Sequence, residues 1–192
     1  MPLRDQDARW AIGLDLLFVD AARQHVALIQ RQQEGVLALL GENLCWGEPA
    51  AAGLLRALRE ELGLESTTWG LLRAGLRSWR LGGLFGLDQP ARDPRFLAAP
   101  PLAERAQVLS LVYLVEADLP LLVQAARPGP ESSVLGLEVL PVVALQQQQL
   151  FLDHATLIRQ VLDAERAGRL PLLPVGSAWP LPRSDADAEP VG

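Results

Sequence analysis

The stretch GEPAAAGLLRALREELGLE, residues 47–65, decides how the chain is interpreted. Five apolar residues recur in it at helical spacing: Ala51, Leu54, Leu55, Leu58 and Leu62. Pro49 suits the first helical turn, where its missing N–H removes no hydrogen bond, and Gly63 is a typical helix stop. The pattern therefore predicts a helix with one apolar stripe for packing and a second stripe that carries charge.

The charged stripe groups several acidic residues around one arginine. Residues three and four apart share a helix face, so Arg56 neighbours Glu60. Position 57 neighbours both Glu60 and Glu61. Two adjacent carboxylates repel each other, and Mg²⁺ prefers one or two carboxylates together with phosphate oxygens of a substrate. The simpler alternative is a solvated Arg56–Glu60 ion pair, with Glu61 in water.

The stretch resembles the Nudix box, written G-x5-E-x7-R-E-U-x-E-E-x-G-U, in which U is a bulky aliphatic residue. Glu48 takes the place of the first Glu, and Arg56 follows after seven residues. Glu60 and Glu61 fit the paired Glu, and Gly63 fits the closing Gly. The match runs over seventeen positions, from 48 to 64, so the chain is identified as similar to the Nudix hydrolases.

The resemblance departs from the box at two positions. Ala57 stands where the box has a Glu that is usually a metal ligand and in some members the catalytic base. Glu42 stands where the opening Gly is expected, and Gly41 lies one place early. Alanine can neither bind a metal ion nor accept a proton, so the box of residues 41–64 is degenerate.

Other parts of the chain extend the resemblance toward the ADP-ribose pyrophosphatase-like branch. The loop DQPARDPR (88–95) and the strand VLSLVYLV (108–115) look like that branch's Asp-Pro-Arg loop and following strand. FLDHATLIRQVL (151–162) is similar to its closing Asp-His helix. The resemblance implies an α+β protein with the Nudix fold, an α/β/α sandwich with a mixed β-sheet between helices.

The resemblance also implies an activity and a set of site residues. Nudix hydrolases cleave a nucleoside diphosphate linked to another group, using Mg²⁺ or Mn²⁺ to activate water and neutralise the phosphates. Glu60 and Glu61 would be metal ligands, and Arg56 would hold Glu48 or Glu60 in place. The region of Gly41 would shape the turn and offer a carbonyl oxygen to the metal.

The lost carboxylate raises the question of a replacement. Four acidic residues could supply a metal ligand or base from elsewhere: Glu42, Glu104, Glu116 and Asp118. Each of them could equally be an ordinary surface carboxylate. Arg92 and Arg95 could bind a diphosphate or a ribose phosphate, or could be solvated loop arginines.

Three functions follow from this combination. The first is a metal-dependent diphosphohydrolase with weakened activity on ADP-ribose or a similar conjugate. The second is a catalytically inactive pseudoenzyme that binds such a nucleotide as a sensor. The third is an interaction module in which the fold survives and the ligand site does not.

Composition argues against nucleic acid and membrane as partners and bears on the compartment of the protein. The net charge of −6 and pI of about 4.9 argue against a protein that coats nucleic acid, and no stretch is apolar enough to span a membrane. The lone Cys45 suits a reducing compartment, so we expect a cytoplasmic protein. Homodimers are common in the resembling branch, so a homodimer is possible by that analogy alone, and the sequence does not settle the oligomeric state.

Local patterns also predict the order of elements. Strands are expected at residues 10–19, 25–31, 36–40, 107–117 and 134–142, and helices at residues 49–62 and 153–168. Residues 69–87 are expected to form strand with Gly-marked turns, and 87–104 to form a loop. The predicted organisation is an arm at 1–9, a Nudix domain at 10–168 and a Pro-rich, poorly ordered tail at 169–192.

Overall fold

The computed structural model describes residues 11–32, 35–45, 47–90, 105–151, 154–170 and 179–180. The strands are β1 (Ala11–Val19), β2 (His25–Arg31), β3 (Leu37–Ala38), β4 (Leu40–Asn43), β5 (Leu76–Pro90), β6 (Arg105–Ala117), β7 (Val134–Pro141) and β8 (Trp179–Pro180). The helices are α1 (Ala50–Leu62), α2 (Thr68–Arg73), α3 (Leu119–Ala125) and α4 (His154–Arg166). A short 3-10 helix, Val142–Gln147, follows β7.

These strands form one mixed, eight-stranded sheet. Its order is β3-β2-β1-β6-β5-β8, with β4 paired to β1 and β7 paired to β2. β1 and β6 run parallel, and every other pair is antiparallel. The parallel pair at the centre joins strands from the two halves of the chain, so the hairpin before α1 and the strands after it share one core.

Helices cover both faces of the sheet. Leu14 and Leu16 of β1 belong to a buried cluster with α1, α2 and α3, whereas Leu17 and Val19 belong to a second cluster with α4. This division follows from the alternation of side chains along a strand. The prediction of an α/β/α sandwich is thereby confirmed. None of the helices in the described ranges is long and apolar enough to cross a membrane.

The helix predicted from residues 47–65 is confirmed as α1, and its end depends on a glycine. Gly63 has φ 64° and ends the helix, with its N–H donating to the Arg59 carbonyl at 3.0 Å. A Cβ atom at position 63 would also lie 2.1 Å from the Arg127 carbonyl oxygen. Conformation and space therefore both require glycine at this position.

Two element predictions are wrong. Residues 69–73, expected as strand, belong to α2, because the Thr67 hydroxyl caps a helix start by accepting from the Gly70 N–H at 3.0 Å. The loop expected from residue 87 begins later, because β5 pairs with β6 as far as Pro90 opposite Arg105. A long antiparallel ladder thus continues through residues whose composition favours a turn.

Several predicted segments lie outside the described residues. They are the arm at 1–9, residues 91–104, Asp153 at the start of the closing helix, and the tail apart from residues 169–170 and 179–180. Within the predicted tail, Trp179–Pro180 forms β8 and pairs with Ser78 and Trp79 of β5. At this point the tail is part of the sheet.

Candidate functional site

Arg56 lies at the centre of a charged cluster on α1. Its Nε donates to Glu48 Oε1 at 3.0 Å and its Nη2 to Glu48 Oε2 at 2.9 Å, so two parallel bonds join the side chains. Nη2 also donates to the Asn43 carbonyl oxygen at 2.7 Å. Arg56 therefore anchors the segment between β4 and α1 to the helix.

Glu48 is held in its charged form. Its pKa is lowered to about 2, first by the hydrogen bonds from Arg56 and then by the Cys45 backbone N–H, which donates to Oε2 at 2.9 Å. The same hydrogen bonds raise the pKa of Arg56 above its usual value. This arrangement suits the supporting role expected for Glu48, since its lone pairs are already used.

Two further carboxylates approach Arg56. Its Nη1 lies 3.4 Å from Glu42 Oε2 and 3.6 Å from Glu60 Oε2. Glu60 also accepts from Arg59 Nη2 at 2.9 Å, and its side chain is 47% exposed. We call Arg56 with Glu42, Glu48 and Glu60 the Arg56 cluster. It contains three carboxylates and one guanidinium, so it retains an excess of negative charge.

Glu61 has different partners from Glu60. Its Oε2 accepts hydrogen bonds from the hydroxyls of Ser132 at 2.8 Å and Ser133 at 3.3 Å. The Ser132 hydroxyl in turn accepts from the Val134 N–H at 3.0 Å, so this contact ties α1 to the start of β7. Because hydroxyls are neutral, none of these partners competes with a cation for Glu61. Sequence reasoning missed both serines.

Ala57 is a core residue. It is completely buried, in the cluster that contains Leu54 and Leu58. A Glu at this position would have to direct its carboxylate out of the core, whereas Ala57 packs within it.

The donor set for a divalent cation is small. No group of three or more His, Cys, Asp or Glu side chains that could hold a metal ion occurs among the described residues. The two ligands expected for a cation have separate partners in the structure: Glu60 lies against Arg56 and Arg59, and Glu61 accepts from Ser132 and Ser133. A cation held by this pair would need oxygen atoms of a substrate to complete its coordination, as Mg²⁺ prefers, so the metal site stays a prediction.

Gly41 is explained by a close contact that sequence reasoning did not find. It pairs with Asp15 across the β1–β4 ladder, and a Cβ atom at position 41 would lie 2.5 Å from Asp15 Oδ1. Asp15 is buried and accepts a hydrogen bond from the Ser110 hydroxyl. Burial raises its pKa to about 6, against the lowering effects of Ser110 and the Arg31 charge. The one available signal was an aspartate inside an apolar strand.

The other replacement candidates lie elsewhere. Glu116 forms an ion pair with Arg23 at 2.9 Å, and Asp118 caps α3 by accepting from the Leu121 N–H at 3.1 Å. Glu116 pairs with Val19 of β1, whereas Glu42 pairs with Leu14, so five residues of strand, about 17 Å, separate the two levels.

This separation removes Glu116 and Asp118 from the vicinity of the Arg56 cluster. Arg92, Arg95 and Glu104 lie outside the described residues. Glu42 is thus the one candidate, in the part of the chain that the structure describes, that reaches the cluster.

Comparison with solved structures identifies the architecture. A Listeria monocytogenes protein assigned as a NUDIX hydrolase matches with TM-score 0.57 and 10% identity, over 86% of this chain and 100% of that one. The NUDIX domain of Shewanella oneidensis NrtR, solved with ADP-ribose, matches with TM-score 0.54 and 19% identity, over 82% and 90%. A MutT/nudix family protein from Enterococcus faecalis matches with TM-score 0.52 and 17% identity, over 87% and 66%.

Comparison of the sequence with family models and with curated proteins finds no relative. No protein-family model matches the chain, and no curated protein matches it significantly. The structural likeness agrees with the mixed sheet, with its helices on both faces and with the position of α1 beside β4. The chain therefore has the Nudix fold.

Proposed function

We propose that the protein is a Nudix-type hydrolase with weak activity, which cleaves a nucleoside diphosphate linked to another group. The carrying observation is the double hydrogen bond between Arg56 and Glu48 beside the Glu60–Glu61 pair, on the helix that holds the box pattern. The NrtR domain, which shares this fold, was solved with ADP-ribose, and this supports a conjugate of that class as the substrate.

The chain's own residues have distinct parts in this reaction. Glu48 holds Arg56, and Arg56 keeps the cluster oriented toward the substrate phosphates. Glu60 and Glu61 would hold Mg²⁺ or Mn²⁺, which when bound neutralises phosphate charge and lowers the pKa of a bound water. We propose a cytoplasmic site of action on a small molecule, with neither nucleic acid nor membrane as partner and with a homodimer as a possible assembly.

Glu42 is the proposed replacement for the missing box carboxylate. It could accept the proton of the attacking water, but both of its oxygens already have partners: Oε2 pairs with Arg56, and Oε1 accepts from the Asn43 N–H at 2.8 Å. The box carboxylate itself is absent at Ala57. Because a general base typically contributes about 10²–10⁴-fold, turnover is expected to be slow.

Binding without cleavage is the second candidate, and one observation favours it. Ala57, at the position of the missing box carboxylate, is part of the core and offers the site neither a metal ligand nor a base. A protein in this state would keep the affinity of the site for a nucleotide conjugate and act as a sensor or interaction module.

The test is release of AMP or phosphate from a panel of nucleotide conjugates, ADP-ribose included, with Mg²⁺ or Mn²⁺. We expect slow turnover that falls about 100-fold or more in Glu61→Gln. Glu138→Gln, which changes an exposed glutamate on β7, is the matched control and should leave the rate unchanged. Retained turnover in Glu61→Gln would overturn the proposed role of this residue.

The two candidates are separated by measuring binding together with turnover. Wild-type protein that binds ADP-ribose without cleaving it would support the sensor. Activity gained in Ala57→Glu would then identify the lost carboxylate as the cause. Since position 57 is buried, the variant's free energy of unfolding must be measured alongside. Neither binding nor turnover across the panel would reject both candidates.

A further inference from the structure

The hydroxyl of Ser132 is held by the backbone independently of the Glu61 carboxylate. It accepts from the Val134 N–H at 3.0 Å, and it lies 3.1 Å from the main-chain carbonyl oxygen of Glu61 and 2.8 Å from Oε2 of the same residue. A serine hydroxyl carries one proton, so it donates fully to only one of these acceptors at a time. If the carboxylate moves, the proton still has the main-chain carbonyl as a partner. The position of Ser132 therefore does not depend on the carboxylate.

The connection between α3 and β7, which carries Ser132, is fixed at both ends. The Arg127 N–H donates to the Leu62 carbonyl oxygen at 2.7 Å, at the end of α1. The Gln32 N–H, one residue after β2, donates to the Ser133 carbonyl oxygen at 2.8 Å. Ser132 itself is 8% exposed. A buried hydroxyl in a segment anchored at both ends is a rigid support for a side chain that reaches it.

The two oxygens of the Glu61 carboxylate are used unequally. Oε2 accepts from Ser132 at 2.8 Å and from Ser133 at 3.3 Å, whereas none of the described residues donates to Oε1. The terminal torsion of a glutamate is otherwise broad, so hydrogen bonds to one oxygen restrict its rotation and leave the other oxygen available. Carboxylates that bind metal ions are commonly oriented by such hydrogen bonds.

Glu60 has no comparable support. Its carboxylate lies 3.6 Å from Arg56 and 2.9 Å from Arg59, and these two positive charges oppose the approach of a cation. Glu61 has neutral partners on one oxygen and a free second oxygen, which is donor chemistry that fits a divalent cation. Of the two adjacent carboxylates, Glu61 is therefore the better oriented ligand.

We propose that Ser132 is a positioning residue, which orients the Glu61 carboxylate and keeps Oε1 free for a divalent cation. Ser133 assists through its longer hydrogen bond. Ser132 acts only through Glu61 and is not itself a ligand. This inference rests on the proposed function, because Glu61 is one of the two residues that would hold the cation there.

The test measures the dissociation constant of Mn²⁺ from the full chain, using the electron paramagnetic resonance signal of free Mn²⁺. It is measured alone and with an ADP-ribose analogue that has a methylene group between its phosphorus atoms and cannot be hydrolysed. Ser132→Ala should weaken Mn²⁺ binding about tenfold. Ser133→Ala should weaken it about twofold, since its hydrogen bond is longer and exposed. An unchanged constant in Ser132→Ala would overturn the inference.

Thr67→Ala is the matched control. The Thr67 hydroxyl also donates to a glutamate, Glu65 Oε1 at 2.8 Å, and also accepts from a backbone N–H, that of Gly70 at 3.0 Å. Its loss removes the cap of α2 but should leave the dissociation constant of Mn²⁺ unchanged. An equal loss of Mn²⁺ affinity in Thr67→Ala and Ser132→Ala would mean that general destabilisation is the cause, and the inference would fall.

A double-mutant cycle separates positioning from a structural role. In a Glu61→Gln background, Ser132→Ala should have no further effect on Mn²⁺ affinity in the presence of the analogue, because the carboxylate through which it acts is gone. A structural role in the turn before β7 would instead give the same loss in both backgrounds. That second result would overturn the inference.

Ser132→Thr tests the hydroxyl itself. It keeps the donor, so it should restore most of the Mn²⁺ affinity lost in Ser132→Ala. Because position 132 is buried, the free energy of unfolding of each variant is measured by urea denaturation. A stably folded Ser132→Thr that binds Mn²⁺ as weakly as Ser132→Ala would contradict the assignment, and the double-mutant cycle decides the matter if Ser132→Thr does not fold.

The wild-type protein separates this inference from the proposed function. Wild type that binds no Mn²⁺, with or without the analogue, would reject the metal-dependent function and the inference with it. Wild type that binds Mn²⁺ as tightly as Ser132→Ala does would overturn the inference alone and leave the proposed function standing.

Discussion

The two faces of the sheet both carry an arginine that holds carboxylates, in different surroundings. On the α1 face, Arg56 pairs with Glu48 and also with Glu60, whose side chain is 47% exposed. On the α4 face, Arg23 Nε donates to both oxygens of Glu165 at 3.0 Å, and Nη2 donates to Glu116 at 2.9 Å. Both arginine side chains are 19% exposed, and their main partners, Glu48 and Glu165, are 14% and 13% exposed. The two sites therefore differ in their outer partners, Glu60 at 47% and Glu116 at 33%.

The α4 face also buries its other polar groups with partners. Asp15 accepts from Ser110, and His154 accepts from the Leu39 N–H at 3.0 Å through Nδ1. Similar residue types therefore serve different ends. We propose that polar groups on the α4 face stabilise the fold, whereas those on the α1 face bind a ligand. Variants on one face should change stability, and variants on the other should change binding.

The largest expected effect comes from His154. Burial, and then the Arg31 charge, lower its pKa from 6.5 to about 4, so the folded protein keeps the ring neutral. The unfolded chain binds more protons between these values. Stability is therefore present above pH 6.5 and falls as the pH drops toward 4, by about 3 kcal/mol. In His154→Asn this loss should disappear, as measured by urea unfolding from pH 4 to 8.

Asp15 should change the pH dependence of the free energy of unfolding in the opposite direction from His154, by a slightly smaller amount. Its folded pKa of about 6 exceeds the ordinary 3.8, so the folded protein binds more protons in this window. Its contribution is present below pH 3.8 and is lost as the pH rises through 6. Relative to wild type, Asp15→Asn should gain about 3 kcal/mol between pH 4 and 8. A constant difference across this range would contradict the assignment.

The smallest effect distinguishes the two arginines. Arg23→Met should lower the free energy of unfolding by about 2 kcal/mol, because it leaves two partly buried carboxylates short of a partner. Arg56→Met should cost about 1 kcal/mol, since Glu42 and Glu60 approach Arg56 only to 3.4 and 3.6 Å and Glu48 keeps the hydrogen bond from the Cys45 N–H. We expect ADP-ribose affinity to be lost only in Arg56→Met. The opposite pattern in denaturation and calorimetry would remove the distinction between the faces.

Local sequence patterns predicted much of the fold. The 25–31 strand matches β2 in full, and the 107–117 strand and the box helix match β6 and α1, because each is defined by its own periodicity. Helix α2 was missed because its start depends on the capping hydroxyl of Thr67, inside a stretch with no clear period. The parallel pairing of β1 with β6 joins residues about a hundred positions apart, which no local pattern encodes.

In the candidate site, too, some contacts could be expected from the sequence and others could not. The contact of Arg56 with Glu48 or Glu60 was expected from the resemblance to the Nudix box, and the structure has both, with the double hydrogen bond to Glu48. The contact of Ser132 with Glu61 spans 71 positions, and that of Arg23 with Glu165 spans 142. Such contacts depend on the packing of distant elements, so they become visible only in the folded chain.

The close approach of Asp15 to Gly41 has a consequence for how this protein can evolve. A Cβ atom at position 41 would meet the Asp15 carboxylate at 2.5 Å, so the order in which the two positions are substituted matters. A smaller residue has to appear at position 15 before a side chain is tolerated at 41. The glycine would thus persist by epistasis in descendants whose Glu60 and Glu61 had already been replaced.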